Sequence, residues 1–106
     1  MTRSDPYAAV DRVIRTWSNA HSLKVFDSFG GRETRFCYVS SSRGECFQIS
    51  IQPPGDATVK VDVWSVETRD DRELHEDWVV PISRLQDGLE AALSRVRELL
   101  DGSATP

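Results

Sequence analysis

The sequence lacks any long hydrophobic run. Hydrophobic residues make up 39% of its 106 positions, and no stretch of them approaches the roughly 18–20 residues that a membrane-spanning helix needs. Residues 1–6 also lack the apolar core of a secretory signal. We therefore expect a cytoplasmic protein with no membrane partner.

A surplus of basic residues is missing as well. The chain has 13 Lys and Arg against 17 Asp and Glu, which gives a net charge of −4 and a pI of about 5.1. A protein that binds duplex nucleic acid needs a basic face to replace the condensed counterions. The charge balance therefore predicts no nucleic-acid partner.

Residues typical of catalytic and cofactor sites are few. No serine lies between glycines at a strand-to-helix turn, the arrangement found in many hydrolases. Gly30 and Gly31 precede a predicted strand, whereas a phosphate-binding glycine loop opens a helix. The sequence therefore predicts no catalytic residue and no cofactor, and we do not expect an enzyme.

The two cysteines are Cys37 and Cys46. If the second and third strands pair with Phe36 opposite Phe47, Cys37 comes to lie opposite Cys46 on the other side of the sheet. Thiols stay reduced in the cytosol, so two unbridged cysteines are the expectation. A cross-strand disulfide is the alternative.

Hydrophobic periodicity divides the chain into a helix, a run of strands and a second helix. Apolar side chains recur every three or four positions in residues 6–18 and again in 82–100, which is typical of amphipathic helices. Alternation and turn residues predict four strands, with a short fifth edge strand or extended lead-in at residues 78–80. The four strands are at residues 23–29, 34–39, 45–52 and 57–66.

The short turns between these strands imply an antiparallel meander. Because both helices are amphipathic and one face of the sheet is apolar, the helices should cover that face. The prediction is an α+β fold: an antiparallel four- to five-stranded meander sheet with N-terminal and C-terminal helices packed on one face. The length fits a single domain over residues 1–106, with frayed tails at 1–4 and 102–106.

This arrangement leaves the second face of the sheet uncovered. By alternation, that face should be mostly polar and should include one tryptophan. Its expected residues are Gln48, Ser50, Gln52, Lys60, Asp62 and Trp64. Two interpretations remain open, a solvated face with Trp64 covered by a loop, and a binding face with Trp64 as its anchor.

Negative charge is concentrated in residues 67–77, which we call the acidic segment. It contains six acidic and two basic side chains, so its net charge equals that of the whole chain. The segment lacks the glycine-centred spacing of a calcium loop and the paired histidines of a zinc helix, so no metal site is predicted. A solvated loop is one interpretation, and a patch that attracts a basic protein surface is the other.

The second interpretation predicts a partner-binding site at the acidic segment and the two tryptophans beside it. Its predicted residues are Trp64, Asp70, Asp71, Glu73, Glu76, Asp77 and Trp78. The carboxylates would steer a basic partner surface, and a tryptophan would pack at the centre of the contact.

In size, charge and layout the chain is similar to the immunity proteins of bacterial toxin–immunity pairs. Those are small cytosolic α+β domains, often acidic, that block a toxic enzyme. The resemblance implies that this chain occludes the basic active-site surface of a toxin domain. Alternatives are a phage-encoded inhibitor of host defence, or a small-molecule-binding domain or small enzyme with a pocket between sheet and helix. Both a monomer and a homodimer fit the sequence.

Overall fold

The computed structural model describes residues 7–29, 32–55, 57–68 and 73–102. Within these ranges the chain forms one helix, five strands and a second helix that begins after a single 3-10 turn. The elements are α1 (Asp11–Ala20), β1 (Phe26–Phe29), β2 (Arg32–Ser40), β3 (Cys46–Ile51), β4 (Thr58–Glu67), β5 (His75–Pro81), the 3-10 turn (Ile82–Arg84) and α2 (Leu85–Gly102). The protein is therefore an α+β protein, as predicted.

The five strands form one antiparallel sheet in the order β1-β2-β3-β4-β5. Each strand pairs with the next one along the chain, which is the predicted meander. The β2–β3 turn is built on Ser41, whose Oγ accepts hydrogen bonds from the backbone N–H groups of Arg43 and Glu45. Gly44 in this turn has φ +89, a backbone conformation that favours glycine.

Both helices cover the same face of the sheet, which we call the helix face. The amphipathic pattern of α2 buries Leu85, Leu89 and Leu93 against the middle strands. Gly88 lets α2 approach β5 closely, because a Cβ atom at this position would lie only 3.1 Å from a methyl group of Val80. The result is a single cluster of buried apolar side chains between the helices and the sheet.

An ion pair connects α1 to β2 within this layer. The Nε and Nη2 atoms of Arg35 donate to the two carboxylate oxygens of Asp11 at 2.7 and 3.0 Å. The guanidinium also lies 4.3 Å from the centre of the Tyr7 ring, and the Tyr7 hydroxyl donates to the backbone oxygen of Ile51. These contacts fix the position of α1 over β2 and β3.

Several element boundaries differ from the prediction; β1, for example, begins at Phe26 and not at residue 23. Residues 7–10 form a turn closed by hydrogen bonds to the Tyr7 carbonyl, so α1 begins at Asp11 and not at residue 6. β5 begins at His75, so the last three residues of the acidic segment belong to a strand and not to a loop. Pairing with β4 imposes this extended conformation on charged residues that have little strand propensity. The predicted C-terminal tail of residues 102–106 is wrong at its first residue, because Gly102 is the last residue of α2. The predicted tail residues 1–4 and 103–106 lie outside the described residues.

The register of β2 against β3 also differs. Phe36 pairs with Ser50 and Cys37 with Ile49, so the alignment of Phe36 with Phe47, and of Cys37 with Cys46, is wrong. β2 has apolar side chains on both sides, so alternation alone does not determine which side faces the helices. The observed register places Arg35 on the helix face, where it reaches Asp11. Both cysteines are free thiols.

Neither helix in the described part of the chain combines the length and the apolar character that crossing a bilayer requires.

Candidate functional site

The face of the sheet opposite the helices, which we call the open face, carries two parallel rows of side chains. Strand pairing determines both rows, because directly opposed residues of antiparallel strands share a face. The first row is Tyr38, Gln48, Trp64 and His75, and the second is Phe36, Ser50, Asp62 and Asp77. The predicted positions of Gln48, Ser50, Asp62 and Trp64 on this face are confirmed.

Trp64 is an exposed aromatic residue of the open face on β4. Its side chain remains 43% exposed, and its ring stacks on the imidazole of His75 with centroids 3.6 Å apart and planes 9° from parallel. The stacking holds the indole in one orientation while much of the side chain stays exposed. Such a preordered aromatic side chain loses little conformational entropy when it is buried against a partner.

Asp62 lies beneath this aromatic pair. Its side chain is only 2% exposed, although it belongs to the face without helices. The Nε2 atom of His75 lies 2.9 Å from Oδ1 of Asp62, and the Gln52 amide donates to Oδ2 at 2.7 Å. Both carboxylate oxygens therefore have hydrogen-bond partners, which a buried charge requires.

Three aromatic rings cluster at the β1–β2 edge of the open face. Phe26 stacks on Phe36 with centroids 5.2 Å apart, and Tyr38 meets both rings edge-on. Phe36 is buried by its neighbours, whereas Phe26 and Tyr38 are exposed, and Lys24 lies over the Phe26 ring. The first row therefore has an exposed aromatic residue on each side of Gln48, namely Tyr38 and Trp64.

The acidic segment extends from the end of the open face next to Trp64. Ser65 and Leu74 hydrogen-bond across the base of the segment, which places the exposed Glu67 and Glu73 beyond the Trp64–His75 pair. Asp77 lies on the open face itself, 3.4 Å from the Lys60 ammonium. Asp70 and Asp71 lie outside the described residues.

Glu76 and Trp78, by contrast, lie on the helix side of β5. Trp78 pairs with Val61 and packs, half-buried, against the core. The Arg95 guanidinium of α2 forms hydrogen bonds of 2.9 to 3.1 Å to both carboxylate oxygens of Glu76 and holds the pKa of this carboxyl below its ordinary value. The structure thus divides the predicted site residues between two faces.

The cysteines are divided in the same way. Cys37 is buried on the helix face, and this burial raises the pKa of its thiol to about 12. A thiol with such a pKa stays protonated at neutral pH and is a poor nucleophile. Cys46 lies partly exposed at the end of β3, paired with Ser40 on the open side.

A cleft of about 480 Å³ lies between α1 and the β1 end of the sheet. The described residues that line it include Arg15, Lys24 and Arg35 as cations and Asp11 and Asp27 as anions. Arg35 already donates to Asp11 and to the backbone oxygen of Thr34. The small-molecule alternative predicts a cavity that reaches Tyr38, Cys46 or His75, and the described lining of this cleft includes none of the three.

Sequence reasoning missed two features of the open face. The aromatic edge was missed because the predicted register directed Phe36 toward the core. The Asp62–His75 contact was missed because thirteen positions separate these residues and only the β4–β5 pairing brings them together. An aspartate amid the alternating valines of β4 was the available signal, since a central strand seldom carries a charge without a partner.

Comparisons with family models, with curated proteins and with solved structures gave no match to this chain, so its function is inferred from the site itself.

Proposed function

We propose that this chain is a binding protein that docks a basic protein surface on its open face and on the adjoining acidic segment. More specifically, we propose that the chain is an immunity-type inhibitor, which blocks a toxin by occluding the basic surface of the toxin's active site. One observation carries the proposal: the exposed Trp64 lies at the base of the segment that holds the chain's surplus negative charge.

Trp64 serves as the anchor. Tryptophan is enriched among the residues that dominate binding energy, especially where neighbouring side chains exclude water from it. Stacking on His75 keeps the Trp64 ring in place before binding, and Gln48 beside it offers hydrogen bonds at the rim. Tyr38, in the same row, is the second aromatic contact.

The acidic segment supplies the charge complementarity. Glu67 and Glu73 are exposed next to Trp64, and Asp70 and Asp71 belong to the same segment. Clustered carboxylates raise the association rate with a basic surface, and this effect weakens as salt increases. Glu76 and Trp78 lie on the helix side and are not part of the proposed contact.

The experiment is affinity capture from the source cells, followed by association kinetics with the purified partner. The proposal expects a partner with a basic surface, whose association rate falls steeply with ionic strength. Trp64→Ala should weaken the complex at least tenfold, since a hot-spot residue contributes about 2 kcal/mol or more. Replacing Glu67, Asp70, Asp71 and Glu73 by their amides should slow association and flatten its salt dependence.

Two variants serve as matched controls. Glu76→Gln removes a carboxylate of the same segment that Arg95 already engages, and Gln86→Ala changes an exposed residue of α2. Both should leave the association rate unchanged. A partner that binds Trp64→Ala and the four-amide variant as tightly as it binds the wild type would overturn the proposal.

A further inference from the structure

We propose that Asp62, His75 and Asp77 form a binding site for one divalent cation of the zinc class. The three side chains project from neighbouring positions of β4 and β5 onto the open face. One potential ligand atom from each lies within 4.8 Å of the other two. The inference does not rest on the proposed partner, because the isolated chain already contains all three ligands.

The distances suit a small tetrahedral ion. Zinc bonds to nitrogen and oxygen of about 2.0–2.2 Å place the donor atoms of a tetrahedral site roughly 3.3–3.6 Å apart. His75 Nε2 lies 2.9 Å from Asp62 Oδ1 and 3.9 Å from Asp77 Oδ2. Side-chain shifts of a few tenths of an ångström would bring these two separations into that range, and the ligand atoms of Asp62 and Asp77 lie within 4.8 Å of each other.

The residues around the three ligands hold them in orientation. Gln52 donates to the Asp62 oxygen that does not face His75, which fixes the plane of this carboxylate. Trp64 stacks on His75 and fixes the plane of the imidazole. Metal sites typically have such contacts to the side chains that bind the ion, and these contacts fix the orientation of the ligands before the ion binds.

The charges of the site also call for a cation. Two carboxylates converge on one imidazole, and one of them, Asp62, is withdrawn from water. The Lys60 ammonium lies 3.4 Å from Asp77, but the Lys60 side chain is half exposed and flexible. A divalent ion between the carboxylates would offset the cost of burying Asp62 more directly than Lys60 does.

The ligand types favour zinc over magnesium. Imidazole together with carboxylates suits zinc, whereas magnesium prefers octahedral oxygen ligands and keeps several waters. His75 and Asp77 are partly exposed, so water can take the fourth position. Spacing along the sequence does not reveal the site, because its third ligand comes from the adjacent strand.

A second histidine–carboxylate pair provides a matched control. His21 Nε2 lies 2.6 Å from Glu90 between the two helices. In the part of the chain that the structure describes, no third ligand atom joins this pair, since Asp62, His75 and Asp77 are the one such group found there. A histidine with a single carboxylate should not hold the ion.

The test is calorimetric titration of Zn²⁺ into the chelator-treated full-length chain at neutral pH. The proposal expects one Zn²⁺ per chain with micromolar or tighter affinity. Co²⁺ should give the visible absorption bands of a tetrahedral site, and Mg²⁺ should give no saturable heat. These measurements report on the ion alone, so they succeed or fail independently of any protein partner.

The variants separate this site from adventitious binding. His75→Gln and Asp77→Asn change partly exposed residues and should each abolish saturable Zn²⁺ binding while leaving the circular dichroism spectrum unchanged. Gln52→Ala should weaken binding about tenfold, the lower end of the loss seen when a ligand's supporting hydrogen bond is removed. His21→Gln should bind as the wild type does.

The result that would overturn the proposal is equally specific. It fails if a several-fold excess of Zn²⁺ produces no saturable heat with the wild type. It also fails if His75→Gln binds with wild-type affinity, or if His21→Gln is the variant that loses the ion.

Discussion

The two faces of the sheet use the same strands for different purposes. Toward the helices, β3 presents Phe47, Ile49 and Ile51, all buried in one apolar cluster. Toward solvent, the same strand presents Gln48 and Ser50, which hydrogen-bond to each other. The helix face contributes most of the buried apolar surface, and on the open face the aromatic cluster around Phe36 adds a smaller share.

The charges of the two faces are arranged differently as well. On the helix face, Arg35 meets Asp11 and Arg95 meets Glu76, so these opposite charges are matched within the chain. On the open face, Asp62 contacts the imidazole of His75 and the amide of Gln52, and Glu67 and Glu73 are exposed to water. Opposite charges are thus paired within the helix face, whereas the open face combines an ion pair, Lys60–Asp77, with carboxylates that are exposed to solvent.

The largest difference between the two faces should be in the reactivity of their cysteine thiols. Burial on the helix face raises the pKa of the Cys37 thiol to about 12, so this thiol stays protonated at pH 8, and its burial also shields it from reagents. Cys46 is partly exposed. A thiol reagent should therefore label Cys46 rapidly in the native protein and Cys37 only upon unfolding. Cys46→Ser should abolish the rapid phase, and rapid labelling that persists in this variant would contradict the assignment of the two faces.

Truncation on the helix face should be the next largest effect. Ile49 is fully buried in the central strand, and Ile49→Ala leaves a cavity there. We expect the free energy of unfolding to fall by about 2–5 kcal/mol, the range for such deletions in well-packed cores. Urea titration measures this loss. A decrease below that range would show that the core around Ile49 collapses easily or is loosely packed.

Removing the ion pair between α1 and β2 should cost slightly less. Arg35→Ala leaves Asp11 without its bidentate partner and removes the guanidinium from the Tyr7 ring. Because Asp11 retains some contact with water, the expected loss is about 2–4 kcal/mol, toward the lower end for broken buried pairs. Arg15→Ala, an exposed change on the same helix, should stay within about 0.5 kcal/mol. Equal decreases in the free energy of unfolding for the two variants would contradict the stabilising role of the Arg35–Asp11 ion pair.

The smallest effect on stability should come from the open face. Trp64→Ala removes the largest exposed side chain among the described residues of the sheet, and the free energy of unfolding should fall by about 1–2 kcal/mol, because 43% of this side chain is already exposed and the variant loses only the buried part and its stacking on His75. The same urea titration measures it. A decrease in the free energy of unfolding as large as that of Ile49→Ala would show that Trp64 stabilises the fold as a core residue does, and would contradict the proposed difference between the two faces.

Much of the fold follows from local patterns in the sequence. The alternation of Phe47, Ile49 and Ile51 against Gln48 and Ser50 predicts both β3 and its two faces, and the apolar stripe of residues 82–100 predicts α2. These patterns are strong because each element buries one side only. The predicted fifth strand is present, although it is longer than the apolar residues 78–80 suggested, since pairing with β4 extends it to His75.

The candidate site was predictable only in part. Trp64 follows from alternation, because it lies in phase with Lys60 and Asp62 on β4. The separation of Trp64 from Trp78 depends on which side of β5 faces the helices, and residues 75–81 carry polar and apolar side chains on both sides. The Glu76–Arg95 pair and the Asp62–His75 contact join residues that only tertiary structure brings together.

The most direct test of the central claim, that the open face is the recognition surface, is site-specific photo-cross-linking in the source cells. A photoreactive phenylalanine analogue at the exposed position 79 of β5 samples the open face without removing Trp64, and the same analogue at the exposed position 86 samples the helix layer. If the open face is the recognition surface, position 79 gives a covalent adduct with one basic protein and position 86 gives none. An adduct from position 86, with none from position 79, would contradict this claim.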